Sequence, residues 1–205
     1  MAETWIKFCG CTAWSDVELA IEARADAFGM IFAPSPRQIS LDAARDIAQR
    51  LPPSIEPVAV FVNPARHEVQ VVRELFPRAL LQFSGNESPE FVADYGERAI
   101  KAIHVDKSAS GIAEAAGNFP YALLLLDTRH GELPGGTGKA FAWESAVAIA
   151  QARRVIVAGG LTADNVAECV RGVRPFGVDV RSGIETAGRK DPAKMRDFVA
   201  SVRAA

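Results

Sequence analysis

Short apolar runs rich in Val, Ile, Phe and Leu alternate with amphipathic segments eight times along the chain, and this βα repetition limits the possible folds more than any other feature. The runs are Trp5–Cys9, Ala27–Phe32, Pro57–Asn63, Ala79–Phe83, Ile100–Val105, Ala122–Asp127, Val155–Ala158 and Gly177–Val180. A candidate helix follows each of them. Eight strands joined in this way form either an open, doubly wound sheet or a closed barrel.

The helix starts carry their own punctuation. Ser15 with Glu18 reads as a capping box, and Asn63-Pro64, Ser88-Pro89 and Asp191-Pro192 each set a capping side chain before a proline at the first helical position. Ser40 and Thr162 are caps for two more helices. The fifth helix, Asp106–Asn118, contains Gly111 and Gly117 and is expected to be short.

The glycines decide between the two architectures. A dinucleotide fold wants G-x-G-x-x-G after its first strand, where this chain has Cys9-Gly10-Cys11-Thr12. A Walker loop ending at Gly138-Lys139 would need glycine at Leu133 and a hydroxyl residue at Ala140. Functional-looking residues sit at the ends of the strands, which favours a single-domain α/β fold, a (β/α)₈ TIM barrel spanning residues 1–205 with its site at the strands' C-terminal ends. At 205 residues, each βα unit has about 26, near the lower limit for such barrels.

Composition excludes several classes of function. The chain is 49% hydrophobic with 23 basic and 25 acidic residues, a formal charge of -2, so charge supports neither a nucleic-acid nor a membrane partner. No apolar stretch approaches the roughly 20 residues of a membrane span, and Met1–Cys9 lacks the pattern of a signal peptide. Three cysteines, Cys9, Cys11 and Cys169, form no paired framework, so reduced thiols in a cytoplasmic setting are expected. Cys11 and Cys169 read as structural, and no metal site is expected of them.

Residues two apart on a strand share a face, so Lys7 and Cys9 point together to the barrel axis while Ile6 and Phe8 meet the helices. A lysine there needs a partner, and its charge favours thiolate at Cys9. Asp127 ends the sixth strand ahead of a long loop rather than a helix, which removes capping as its explanation. Asp179 on the eighth strand is either a further site carboxylate or a structural partner for Lys7, because a closed barrel makes the first and eighth strands neighbours. Gly159 and Gly160 follow the seventh strand and Ser182 and Gly183 the eighth, the two loops from which barrel phosphate sites are built. The sixth loop, Thr128 to Lys139, carries Gly135, Gly136, Thr137 and Gly138 and reads as a lid or an insertion. Ser35-Pro36-Arg37 sets Arg37 at the rim, either as a carboxylate-gripping group or as a solvated surface charge.

Taken in order, Lys7-Phe8-Cys9-Gly10, Ser35-Pro36-Arg37, Leu124–Asp127, Gly135–Lys139, Ala158–Leu161, Gly177–Val180 and Ser182–Glu185 resemble the phosphoribosylanthranilate isomerase family across nearly the whole chain. The resemblance implies an Amadori rearrangement of N-(5-phosphoribosyl)anthranilate in tryptophan biosynthesis, a small phosphorylated substrate, and neither cofactor nor metal. It implies that Asp127 is the general acid that opens the ribose ring and Cys9 the general base at C2. Arg37, with Lys7 and Asp179, is then a substrate contact, and the two glycine loops bind phosphate. An unperturbed thiol ionises near pH 8.5, so a modest pull from Lys7 would bring Cys9 toward neutrality. An acid at Asp127 must hold a proton near neutrality, which demands burial or ligand charge beside it.

The chain also departs from the family pattern. Ser84 stands where the family usually has histidine, His104 where it has arginine or a small residue, Arg181 in place of a serine, and Ala142 in place of an aspartate. These changes leave open a related sugar-phosphate isomerase with a shifted substrate, or a ligand-binding barrel with weakened catalysis. The sequence is compatible with a monomer or a homodimer.

Overall fold

The computed structural model describes residues 3–105, 110–128 and 146–205. Strands β1 (Trp5–Cys9), β2 (Ala27–Ile31), β3 (Glu56–Phe61), β4 (Leu80–Phe83), β5 (Ala99–Val105), β6 (Leu123–Thr128), β7 (Val155–Ala158) and β8 (Gly177–Val180) pair in parallel, in chain order, into a closed barrel. The seam closes between β1 and β8, with Lys7 opposite Asp179. Helices α1 (Trp14–Glu22), α2 (Leu41–Arg50), α3 (Arg66–Leu75), α4 (Pro89–Ala93), α5 (Ser110–Gly117), α6 (146–152), α7 (Val166–Val173) and α8 (Pro192–Arg203) follow the eight strands. A feature outside the eightfold repeat sits before α8: a short hairpin of β9 (Glu185–Thr186) and β10 (Arg189–Lys190). None of the helices in the described residues is long and apolar enough to cross a membrane.

The alternation expected on β1 is present. Ile6 and Phe8 pack outward into the sheet–helix layer, whereas Cys9 joins Ala27, Val58, Ile100, Leu125 and Ile156 inside the barrel. Both layers are built of buried apolar side chains, and burying each large aliphatic or aromatic one contributes on the order of 1.5–3 kcal/mol. At the N-terminal end, Arg203 of α8 donates to Thr4 O at 2.6 Å and to Asp26 Oδ2 at 3.0 Å, and that same oxygen accepts from Ile6 N at 2.8 Å. The last helix is thereby tied to the first strand.

Half of the proposed helix caps are correct. Ser40, Ser88 and Asp191 each accept hydrogen bonds from backbone N–H groups in the first turn. The other three differ. Helix α1 begins at Trp14, so Ser15 and Glu18 lie inside it, and Asp16 instead receives the amide and hydroxyl of Thr12. Asn63 has a positive φ of 48°, which ends β3 at Phe61, and its Oδ1 accepts from Asn86 N; Glu68 reaches back to Ala65 N to start α3. At α7, Asn165 Oδ1 accepts from Thr162 N, so the bond runs opposite to the expected cap. The fifth helix is described over Ser110–Gly117, and residues 106–109 of its expected span lie outside the described residues.

A buried ion pair fixes the loops above β3 and β4. Lys101 points out of the barrel beneath them, and its Nζ donates to Gly85 O and to Glu87 Oε2, both at 2.6 Å. Glu87 also accepts the amides of Asn63 and Gly85. Burial disfavours the Glu87 carboxylate, but the Lys101 bond and the backbone amides outweigh it and hold its pKa below the usual range. Its stabilising contribution is therefore present above the ordinary carboxylate pKa of about 4.3 and is lost as pH falls through the lower folded value. Glu87→Ala strands the Lys101 ammonium and is expected to cost roughly 3–5 kcal/mol at pH 7 in urea unfolding. The gap to the parent protein should narrow below pH 4.

Candidate active site

At the C-terminal mouth of the barrel, Cys9, Gln82, Ser84, His104, Asp127, Gly159, Gly160, Asp179, Arg181 and Ser182 line a cavity of about 250 Å³. The strand geometry explains this convergence. Cys9 is the last residue of β1, Asp127 lies one residue from the end of β6, and His104 is paired beside it in register on β5.

Lys7 lies one layer below, fully buried, with its Nζ 2.9 Å from Asp179 Oδ2. Of the two readings of Asp179, partnership with Lys7 is the observed contact, and Asp179 also lines the cavity. Burial works against the Lys7 ammonium, but the Asp179 carboxylate reverses this and raises its pKa. Gly29, opposite Cys9 on β2, makes room for both side chains: a Cβ there would stand 3.0 Å from Cys9 Sγ and 3.0 Å from Lys7 Cε. Nothing in the sequence around Gly29 marks that role, because the crowding arises between strands.

The thiol differs from expectation. Burial pushes the Cys9 pKa up, Lys7 and Lys190 pull it down, and Asp179 adds to the rise, so the net shift is upward. Lys7 does act on Cys9 as expected, but burial outweighs its pull, and the Asp179 carboxylate paired with Lys7 opposes it further. Cys11 and Cys169 are also buried and are both pushed up to about 12, which suits inert structural thiols.

The glycine loops flank the cavity. Gly159 and Gly160 have positive φ values of 92° and 61°, and Asn165 Nδ2 holds Gly160 O at 3.0 Å. Gly183 lies in a turn of 3₁₀ helix (Ser182–Ile184) and approaches the neighbouring loop so closely that a Cβ would come within 2.0 Å of Leu161 O. His104 Nε2 lies 3.3 Å from Ser84 O, and its Nδ1 lies 3.6 Å from Asp127 Oδ2. Ser84 and His104 therefore occupy one corner of the cavity beside Asp127.

Arg37 stands beside the cavity rather than in its wall: a Cβ on Gly10 would meet Arg37 Cδ at 3.2 Å and Cδ of the lining residue Arg181 at 3.4 Å. The Arg37 guanidinium makes a two-pronged contact with Glu185, 2.9 Å from Nε and 2.5 Å from Nη2. Glu185 entered the sequence reading only as the last residue of the Ser182–Glu185 motif, with no role given to it, and Lys190 was not singled out. Gly135, Gly136, Thr137 and Gly138 of the sixth loop, like Ala142, lie outside the described residues.

An all-parallel (β/α)₈ barrel that gathers a thiol, carboxylates and two glycine loops at the C-terminal ends of its strands has the layout of a barrel enzyme. Comparison with known proteins gives the family. Residues 6–201 match the family described as N-(5'phosphoribosyl)anthranilate (PRA) isomerase. The N-(5'-phosphoribosyl)anthranilate isomerase of Desulforudis audaxviator is 43% identical over 98% of this chain and 99% of its own length, and that of Pseudomonas fluorescens is 44% identical over 96% and 94%. The crystal structure of phosphoribosyl anthranilate isomerase from Thermotoga maritima superposes with a TM-score of 0.87 at 35% identity, covering 98% of this chain and 100% of that one. A further isomerase structure, in complex with reduced 1-(o-carboxyphenylamino)-1-deoxyribulose 5-phosphate, superposes at 0.85 with 32% identity, covering 98% and 100%. The chain belongs to the N-(5'-phosphoribosyl)anthranilate isomerase family and is an isomerase.

Two glycine substitutions separate close approach from open space. Gly183→Ala must displace the Leu161 carbonyl and is expected to destabilise the barrel by about 1–3 kcal/mol. Gly172→Ala, inside α7 with nothing within 4 Å, is expected to stabilise it by up to about 1 kcal/mol. Urea unfolding of both variants checks the contrast.

Proposed function

We propose that the chain works as one barrel unit in the cytoplasm, converting N-(5-phosphoribosyl)anthranilate to 1-(2-carboxyphenylamino)-1-deoxyribulose 5-phosphate, with Asp127 as general acid and Cys9 as general base. The observation that carries this reading is the presence of Cys9 and Asp127 in one cavity, with the β7 and β8 glycine loops at its side.

The backbone of Gly159, Gly160, Ser182 and Gly183 receives the phosphate, and Arg181 adds a positive charge at the same rim. Asp127 gives its proton to the ribose ring oxygen as the C1–O bond breaks, leaving an iminium conjugated with the anthranilate nitrogen. Cys9 then removes the proton from C2, the electron pair moves into the C1–C2 bond, and the enolamine tautomerises to the ketone. The resting thiol holds its proton because it is buried. The iminium brings a positive charge beside it and favours the thiolate at the step that needs a base. Two further groups suit a sugar: Gln82 Oε1 and Asp179 Oδ1 are buried acceptors without a donor among the described residues, and both residues line the cavity. Ribose hydroxyls supply donors of that kind.

One observation favours a second reading. His104 and Ser84 crowd the Asp127 corner, so a related aminated sugar phosphate is the alternative substrate.

Cys9→Ser and Asp127→Asn are each expected to lower kcat by about 10²–10⁴-fold while changing substrate affinity far less. The loss of phosphoribosylanthranilate fluorescence on mixing with purified enzyme measures this. Near parental turnover in either variant overturns the assignment. Turnover only of another aminated sugar phosphate supports the second reading, and binding without turnover points to a ligand-binding barrel.

A further inference from the structure

Where the segment after β8 meets the loop after β2, two cations gather around one buried carboxylate. Glu185 and Lys190 are direct cross-strand partners in the β9–β10 hairpin, whose turn residues Ala187 and Gly188 have positive φ values of 49° and 78°. The Glu185 side chain, 5% exposed, accepts from Arg37 Nε and Nη2 and from Lys190 Nζ at 3.0 Å. Lys190, 2% exposed, also donates to the backbone oxygen of Cys9 at 2.5 Å. The loop after β2, the end of β1 and the hairpin therefore meet at a single carboxylate.

The charges around Glu185 do not balance. Two cations, Arg37 and Lys190, face one anion, and among the described residues no second carboxylate joins them. Burial disfavours the Glu185 carboxylate, yet the bonds from Arg37 and Lys190 keep its pKa below the usual range, so it is ionised and still outnumbered. A cluster this enclosed with one positive charge in excess lacks a counter-anion. Lys190 is too enclosed to offer itself to a ligand, whereas Arg37 is 24% exposed. Glu185 engages Nε and Nη2 of the guanidinium, which leaves Nη1 outside the pair. A carboxylate meeting Nη1 would bring the cluster to neutrality.

We propose that Glu185 and Lys190 are positioning residues of the isomerase site: Glu185 orients Arg37 toward the aromatic carboxylate of the substrate, and Lys190 supplies the uncompensated charge that attracts it while anchoring the backbone at Cys9. This rests on the isomerase reading. Without Lys190, Arg37 and Glu185 would cancel and the cluster would hold no charge for an anion. Without the Glu185 charge, the guanidinium would lose its orientation. Glu185 touches a phosphate loop only through its backbone N–H, which donates to Ser182 O, and side-chain substitution leaves that bond in place, so phosphate affinity should be indifferent to both changes.

The test uses the full chain with Glu185→Gln, which keeps the side chain's shape, Lys190→Met, and Lys190→Arg, which restores the cation. Turnover is followed by substrate fluorescence, and affinities for inorganic phosphate and for reduced 1-(o-carboxyphenylamino)-1-deoxyribulose 5-phosphate by calorimetry. Glu185→Gln and Lys190→Met are expected to raise KM and the Kd of the reduced product by about tenfold or more. The Kd of phosphate should stay within about twofold, Glu185→Gln should lower kcat less than it raises KM, and Lys190→Arg should recover most of the KM. An unchanged KM, or equal losses toward phosphate and reduced product, overturns the proposal, because equal losses mean only a loosened barrel. If the parent protein does not turn the substrate over, the isomerase reading falls, and comparing the reduced product with phosphate still decides what Glu185 and Lys190 do.

Discussion

The ion pair between Lys7 and Asp179 is the contact on which the barrel mouth depends. It spans the seam where the first and last strands meet, and one partner is wholly buried. An unpaired ammonium at that depth would cost several kcal/mol, so the pair penalises any arrangement that separates β1 from β8. It also specifies register. Slipping β1 by one residue would turn Lys7 into the aliphatic helix layer and send Phe8 toward the axis. Gly29 completes the constraint by leaving, on β2, the volume that Lys7 and Cys9 fill.

The same pair governs the chemistry above it. Lys7 beside Cys9 favours a thiolate, but burial, the largest effect, outweighs it, and Asp179 offsets part of its field. A neutral buried thiol resists oxidation and adventitious alkylation better than a standing thiolate. On the proposed mechanism, the iminium formed from the substrate brings the positive charge that Cys9 needs to act as a base, which couples that base to the presence of its substrate. Lys190, the second cation acting on Cys9, stands on the hairpin and approaches from the backbone side.

Much of this was legible in the sequence, for identifiable reasons. Eight strands and their facing could be read because period-two alternation depends on local sequence, and Lys7–Asp179 followed once closure made β1 and β8 neighbours. Cys9, Asp127, Asp179, Gly159, Gly160 and Ser182 were placed at one mouth by strand position alone, and they line one cavity. What sequence reasoning missed depends on geometry between elements. Asn63 has the composition of a cap but occupies a positive-φ bend that binds the next loop. Arg37 was weighed between a ligand contact and a solvated charge, and its carboxylate partner lies 148 positions away. Glu185 and Lys190 carried no periodic signal, since a two-residue strand has no period to detect.

Two buried carboxylates serve the same purpose on different sides of the mouth. Glu87 binds the amides of Asn63 and Gly85 together with the Lys101 ammonium, and Glu185 binds Arg37 and Lys190, the latter reaching the backbone of β1. Each replaces apolar packing, which short loops cannot supply, with several charge-assisted bonds converging on one small group. The two differ in balance. Glu87 faces a single ammonium and backbone dipoles, so its cluster is closed and structural. Glu185 faces two full cations among the described residues, and that imbalance is what the proposed anion contact rests on. On that proposal, the asymmetry separates a strut from a binding element built with the same chemistry, the latter tied through Lys190 to β1, where Cys9 stands.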